Sequence, residues 1–333
     1  MDSLLLVDPL SEKGHRNINK SLINILSKDY NLTFISEKNY LKSTSKFHNI
    51  CFPEKIFGLK MSVLPFRFRQ IAFILFSIFY YKNHKKYDFI LFTSYETISF
   101  SFSTFFLRLK NIAIIEHNNL DQLLNSRIKE IFYRLIKKNI THIVLEQYIY
   151  NYIKQKYRKK VCLLPLPLSV ASDEVIPQTK LIFSPSTTFD ELIMRELINF
   201  CATKEYSLLA KGKSDYKINN VTVKTFFDNY YDIMRKSSFV FISTMFNYRV
   251  SNVAYEALAN NRPIIGFRCL FLEGLKEKYP NAVFVIDDIY ELDTIDVESE
   301  FVRNDCLSFK KFHSDKNILS QFRMLFKRNV NKC

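Results

Sequence analysis

Glycine is nearly absent. The chain has 5 glycines in 333 residues, where average use predicts about 23. They are Gly14, Gly58, Gly212, Gly266 and Gly274, and no two stand at G-x-G-x-x-G or G-x-x-x-x-G-K-[ST] spacing. That excludes the dinucleotide fingerprint and the Walker phosphate loop, both of which need glycine so that backbone amides can approach a pyrophosphate. The 6 cysteines form no C-x-x-C pair and no metal-like cluster. The opening apolar run, Leu4–Val7, is too short for a secretory signal. Reduced thiols in a cytoplasmic protein are expected. No arginine-rich run, zinc-ligand spacing or RNP-like stretch points to nucleic acid.

Acidic residues are the second deficit, and it is local. Residues 1–172 carry 26 basic and 12 acidic side chains, whereas residues 173–333 carry 22 and 21. A basic half joined to a neutral half suggests that the first half works against an anionic surface or ligand. The hydrophobic fraction of 47% is globular, and the length suits two domains.

Short apolar runs alternate with helical patterns along the whole chain. Strands are expected at Ser3–Asp8, Leu32–Ser36, Phe89–Thr93, Ile112–Glu116 and His142–Leu145, with a helical pattern through Leu22, Ile23, Ile25 and Leu26 after a loop, and helices near 67–82, 96–109, 119–138 and 146–157. Two prolines in Leu163–Ser169 break the pattern, and alternation restarts at Leu181. The second half predicts strands at Leu181–Ser184, Ser207–Ala210, Val221–Lys224, Phe239–Ser243, Pro263–Phe267 and Ala282–Ile286. A last helix is expected around 315–328. The expected fold is α/β, with two doubly wound, Rossmann-like parallel-sheet domains, 1–170 and 171–333, facing a central cleft. The most apolar run, Ile71–Tyr81, would span roughly 16 Å as a helix. That is short of a ~30 Å hydrocarbon core. Flanked by Arg67, Arg69, Lys82, Lys85 and Lys86, it suits either an ordinary core or the interface of an anionic leaflet.

The stretch Tyr248–Phe267, Y-R-V-S-N-V-A-Y-E-A-L-A-N-N-R-P-I-I-G-F, carries the most chemistry. Ser251 or Asn252 can cap a helix whose first-turn amides form an anion site, and Arg249 adds a charge-assisted donor beside it. Glu256 follows Ser251 by five residues, roughly 7.5 Å along a helix axis. That separation suits a diphosphate at the helix tip and ribose hydroxyls at the carboxylate. A plain amphipathic helix with Glu256 on a solvated face fits the same residues.

The pattern E-A-L-A-x-x-x-P-I-I-G after R-x-S resembles the donor-site signature of the GT-B glycosyltransferases, which use nucleotide sugars. The motif covers about twenty residues, and the two-domain layout covers nearly the whole chain. The resemblance implies that the helix start, Ser251 and Asn252 here, binds the donor diphosphate and that Glu256 binds ribose. Many retaining members have a second glutamate eight positions earlier, where this chain has Tyr248. Two further stretches resemble donor-side elements of the family. In L-I-F-S-P-S-T-T-F-D-E-L, Ser186 and Thr187 offer donors to phosphate, and Thr188 with Glu191 forms a capping box. In L-L-A-K-G-K-S, Lys211, Gly212 and Lys213 form a strand-to-glycine turn.

On the first half, Ser11–Asn17 resembles the loop lining the acceptor side, with Gly14 admitting close backbone approach and His15 as a candidate base. Ile114–Gln122 ends a strand with Glu116, His117 and Asp121, groups equipped for proton transfer. No D-x-D follows a strand, Asp287-Asp288 lacking that spacing, so no essential metal and no cofactor beyond the nucleotide sugar are expected. The expected activity is metal-independent sugar transfer to a lipid-linked saccharide acceptor at an anionic membrane surface, in O-antigen, capsule or other surface-polysaccharide synthesis. A nucleotide-sugar 2-epimerase of the same architecture and a non-catalytic nucleotide-sugar-binding relative are the alternatives.

Overall fold

A strand covered on both faces must be apolar at every position, and Leu4, Leu5, Leu6 and Val7 are all buried. The computed structural model describes residues 2–10, 16–36, 47–52, 63–84, 87–107, 110–168, 171–172, 179–186, 191–297 and 299–330. They form two units.

The first unit is built on strands β1 (Ser3–Asp8), β2 (Asn31–Ser36), β3 (Phe47–Cys51), β4 (Phe89–Phe92), β5 (Ile112–Ile115), β6 (Thr141–Val144) and β7 (Lys160–Leu163). They lie in the order β3-β2-β1-β4-β5-β6-β7, and every pairing is parallel. The crossovers are α1 (Arg16–Leu26), α2 (Val63–Asn83), α3 (Thr97–Phe105), α4 (Asn119–Leu124), α5 (Arg127–Leu135) and α6 (Gln147–Tyr152), the last running into a π-helical turn, Ile153–Tyr157. The single helix expected over 119–138 is two, broken at Asn125. Ser126 restarts the chain as N-cap of α5, its side chain accepting from the Lys129 amide.

The second unit comprises β8 (Leu181–Ser184), α7 (Glu191–Lys204), β9 (Ser207–Lys211), β10 (Tyr216–Ile218), β11 (Val221–Lys224), α8 (Tyr230–Lys236), β12 (Phe239–Ile242), α9 (Asn252–Ala259), β13 (Ile264–Phe267), α10 (Leu270–Lys276), β14 (Val283–Ile286), a 3-10 turn Ile289–Thr294, and α11 (Glu300–Phe312). Its strand order is β10-β11-β9-β8-β12-β13-β14. Only the hairpin β10–β11 is antiparallel among the described pairs. Gly266 in β13 is a packing requirement, since a Cβ there would lie 2.6 Å from the Ile242 carbonyl and 2.8 Å from Leu272.

The expected boundary at 170/171 falls at 167/168, and the last helix is a correction. α12 (Asp315–Val330) forms where a helix was expected, but it packs on the first unit rather than on 171–313. Its Ile318, Phe322 and Phe326 join Leu22, Leu26 and Phe34 in one core. Phe326 meets Phe89 at 4.4 Å and Tyr30 at 5.2 Å between ring centres. Lys28–Asp315 and Arg323–Asp29 ion pairs pin its edges.

Faces of the first sheet are set by alternation. Leu91 and Ile143 point toward α1 and α12. Phe92 and His142 point the other way, toward Phe100 of α3 and Tyr133 of α5. α3 packs between α2 and α5 on that face. At 21 residues, α2 is longer than the apolar run suggested. By length, roughly 31 Å, and by composition it is the one described helix apolar enough to cross a membrane. However, it is the crossover from β3 to β4, and Phe73, Ile74, Ser77 and Ile78 are buried under the sheet. Of the two readings left open for Ile71–Tyr81, the core one describes Phe73, Ile74, Ser77 and Ile78, whereas Phe79 is exposed.

Candidate functional site

In a doubly wound sheet the crevice opens where consecutive crossovers leave in opposite directions. In the second unit that point lies between β8 and β12, because β8 leads to β9 on one side and the chain returns to β12 on the other. Ser186 follows β8 and is half-buried. After β12, a loop carries Arg249 to the start of α9. Ser251 is the N-cap in extended conformation, its Oγ accepting from the Ala254 amide at 3.3 Å. Asn252 opens the helix and is exposed. The Arg249 guanidinium lies over the Phe246 ring, 4.3 Å from its centre, and Phe246 is buried against Phe271. Stacking on an anchored ring orients a planar cation beside the positive end of α9, a combination suited to phosphate oxygens.

Glu256 is not on a solvated face. It accepts hydrogen bonds from Tyr230 at 2.9 Å and Tyr231 at 3.2 Å, both on α8. Burial raises its carboxyl above the usual range, and the two phenols oppose the shift. Burial, with the carboxylate beside them, raises both tyrosines. The two phenols lie 25 and 26 residues upstream of Glu256, and no local pattern announces them. Lys211 ends β9, next to β8 in the sheet, and Lys213 is exposed. Gly212 also has a packing reason: a Cβ there would collide with the Val223 side chain of β11. Thr187 and Thr188 lie outside the described residues. A cavity of about 360 Å³ in this unit lies elsewhere, under Met245, Arg268 and Asp287. Its Arg268 is held by both Asp287 oxygens, at 2.7 and 2.8 Å, and by Glu273.

The first sheet has its switch between β1 and β4. Asp8, buried at the end of β1, accepts from Asn19 at 2.5 Å, from Ser94 Oγ and from the Leu10 amide at 3.2 Å. Beside it opens a cavity of about 360 Å³, lined by Phe66, Ser94, Glu96, His117, Asn119 and Lys129 among others. Glu96 caps α3, accepting from the Ser99 amide and hydroxyl at 2.8 and 2.7 Å. His117 Nε2 donates to the Thr93 carbonyl at 2.8 Å. A carbonyl oxygen only accepts, so Nε2 carries the proton and Nδ1 is the basic nitrogen of the neutral ring. Asp121, half-buried in the first turn of α4, is not among the lining residues. Gly14 and His15 lie outside the described residues.

Glu116 departs from the expected proton-transfer pairing with His117, because neighbours at a strand end point to opposite sides. Glu116 is 2% exposed and faces the core, where His142 Nδ1 donates to it at 2.6 Å, Tyr95 at 2.8 Å and Tyr133 at 3.1 Å. The cluster locks β5 and β6 to α5. Glu116→Gln keeps the shape but mismatches donors, and is expected to cost about 1–3 kcal/mol of unfolding free energy in urea titration. A variant as stable as the wild type would show that the cluster holds nothing together. Among the described residues no group of three or more His, Cys, Asp or Glu stands where it would hold a metal ion.

No family model and no curated protein matches the sequence significantly. Solved structures do match. Sucrose-phosphate synthase from Thermosynechococcus elongatus superposes with a TM-score of 0.70 at 10% identity, covering 100% of both chains. Anabaena HepE, solved with UDP and glucose, gives 0.69 at 13% identity over 98% of this chain and 100% of that one. WaaG, a glycosyltransferase involved in lipopolysaccharide biosynthesis, gives 0.62 at 10% identity over 98% and 99%. The chain has the GT-B fold. Within that fold, Ser186 follows β8, Arg249, Ser251 and Asn252 lie between β12 and the first turn of α9, Glu256 lies further along α9, and His117, after β5, lines the cavity beside Leu10 and Ser94.

Proposed function

We propose that this chain is a metal-independent glycosyltransferase that takes a sugar from a nucleotide diphosphate donor bound by its second unit. The observation that carries the reading is α9: a capped helix start at a switch point, with a stacked arginine before it and a half-buried carboxylate one turn in. The helix start and Arg249 take the diphosphate, and Glu256 takes the ribose hydroxyls. The UDP held by HepE and the shared fold support a nucleotide sugar as donor. The cavity beside His117 takes the acceptor, with Nδ1 receiving the proton of the attacking hydroxyl if the reaction inverts. The acceptor is a lipid-linked saccharide of surface-polysaccharide synthesis, met at the cytoplasmic face of an anionic membrane. The basic first half and the involvement of WaaG in lipopolysaccharide biosynthesis support this choice.

The test is a thermal-shift screen against UDP, GDP, ADP, CMP and TDP sugars. A ligand at 100 times its Kd adds about 2.7 kcal/mol. No shift with any of them would overturn the donor assignment.

Glu256→Gln gives a sharper readout. Because burial raises the Glu256 pKa in the fold, the folded chain holds that proton more tightly than the unfolded chain. Stability therefore falls as pH rises from the unfolded value, about 4.3, through the folded one, and the cost is complete above it. The amide removes this cost. Relative to wild type, the variant's Tm should gain as pH rises from about 4 to neutrality, while calorimetry shows donor affinity weakened by about 1.5–3 kcal/mol. Unchanged affinity would remove Glu256 from the donor site.

A further inference from the structure

α3 is built inside out. Its serines and threonines, Ser99, Ser101, Ser103 and Thr104, are buried, whereas Phe102, Phe105 and Phe106 are 53%, 45% and 79% exposed. The buried hydroxyls of Ser103 and Thr104 return to carbonyls one turn back, at 2.7 and 2.8 Å. Small residues thus let α3 sit closely between α2 and α5. The neighbour continues the pattern. On α5, Ile128, Ile131 and Leu135 recur at helical spacing on one face, and all three are exposed. On the other flank, α2 presents Leu64 and Phe68. In all, 11 of the 21 large apolar side chains exposed among the described residues fall between Val63 and Leu135. Monomeric proteins rarely leave so many apolar side chains in water along helices that pack on one another, as α3 does on α2 and α5.

Charge selects what covers it. Residues 63–138 contain 12 basic and 5 acidic side chains, and neither α2 nor α3 carries an acidic one. Of the five, Glu116 is buried and Glu130 is engaged by Arg134 and Lys156. Arg127, Arg134, Lys82 and Lys138 are exposed around the phenylalanines and isoleucines. Apolar rings within a cationic surround match the interface of an anionic bilayer, where rings enter the acyl boundary and lysines meet the headgroups.

We propose that the α2–α3–α5 face is a membrane-docking surface, seated on anionic lipid through Phe102, Phe105, Phe106, Ile128 and Ile131. The same helices border the cavity holding His117, through Phe66 of α2, Glu96 at the head of α3 and Lys129 of α5. Docking on this face brings the cavity to the lipid surface, the position a lipid-linked acceptor requires. This last consequence rests on the proposed function; the docking itself does not.

The experiment is co-sedimentation of the full chain with phosphatidylcholine vesicles, with and without phosphatidylglycerol. Wild type is expected on the anionic vesicles, and less of it as salt rises. The triple variant Phe102→Ser/Phe105→Ser/Phe106→Ser should partition at least about tenfold less, and Ile128→Ser/Ile131→Ser several-fold less. Arg127→Gln/Lys138→Gln should bind more weakly and with a flatter salt dependence. Equal partitioning of wild type and both serine variants would overturn the proposal. So would a wild-type dimer in analytical ultracentrifugation that the serine variants convert to monomer, since a second copy would then be the occupant. Circular dichroism and the UDP-sugar thermal shift are recorded for each variant. Lost vesicle binding with an intact shift supports the surface, whereas an absent shift in wild type with intact vesicle binding fails the donor reading alone.

Discussion

Arg249→Ala is expected to lower turnover by about 10²–10³ at saturating donor, the scale of removing one preorganised donor to a developing negative charge. The leaving group of sugar transfer is a nucleoside diphosphate, and negative charge grows on its bridging oxygen as the glycosidic bond breaks. α9 offers partial positive charge at its start, but Ser251 already accepts from the Ala254 amide, so the cap satisfies part of that end. Arg249 adds a full cation there, held over Phe246 at 4.3 Å. Stacking fixes the plane of the guanidinium, so little reorganisation is needed as charge develops. Arg249→Lys keeps the charge and loses the plane, and should recover only part of the rate. Donor hydrolysis without acceptor, followed by nucleotide release, gives the measurement once the donor nucleotide is known. Circular dichroism guards against unfolding, because an arginine on a ring contributes only about 0.5–2 kcal/mol. If Arg249→Ala hydrolyses donor at the wild-type rate, the leaving-group assignment fails, and α9 loses its role in the chemistry.

Much of the fold was legible because both sheets are parallel and covered on both sides. L-L-L-V, F-I-L-F, I-A-I-I and F-V-F-I have no polar position to dilute them, and each is wholly buried. What escaped were the edges. β3, F-H-N-I-C, has one buried residue and β10, Y-K-I, has none, so neither carries the apolar signature of an inner strand. β7 begins at an exposed lysine. α11 escaped for the opposite reason: Val302, Cys306 and Phe309 recur at helical spacing, but charged residues fill the intervening positions and hide a narrow buried stripe. The return of α12 to the first unit could not be read locally either, because Ile318, Phe322 and Phe326 suit any apolar groove.

The site was legible in part, along the one motif where cap, arginine and carboxylate follow each other in sequence. Three features needed the third dimension. Tyr230 and Tyr231 reach Glu256 only because β12 brings α8 and α9 together. Glu116 and His117 look like one unit in sequence, yet the end of β5 sends one into the core and the other to the cavity. α3 reads as I-S-F-S-F-S-T-F-F, in which helix and strand periods both fit, and only the packing of α2 and α5 decides that the serines face inward. Alternation after a strand was a usable signal for Glu116, whereas nothing local identified the tyrosines.

His117→Ala is expected to lower turnover by about 10²–10⁴ and to remove one limb of the pH–rate profile. The prediction rests on the proposed acceptor site: the ring lies on the wall of the cavity beside Ser94 and Leu10, with Nε2 tied to the Thr93 carbonyl at 2.8 Å. That bond fixes the tautomer in which Nδ1 is the base, and it restrains the ring from turning. Glu96 lines the same cavity, but the Ser99 amide and hydroxyl hold its carboxylate at 2.8 and 2.7 Å as the cap of α3. Asp121 has no place on the cavity wall, and Glu116 has none outside the core. His117→Gln separates the two roles of the ring. The amide can still donate toward Thr93 but is not a base at neutral pH, so a positioning role predicts recovery with Gln and a base role predicts none. Turnover is measured at saturating donor and acceptor across the pH range, with nucleotide binding as the control. If His117→Ala keeps its rate and both limbs, the acceptor is not deprotonated by this ring, and the reaction retains configuration or draws its base from outside the cavity wall.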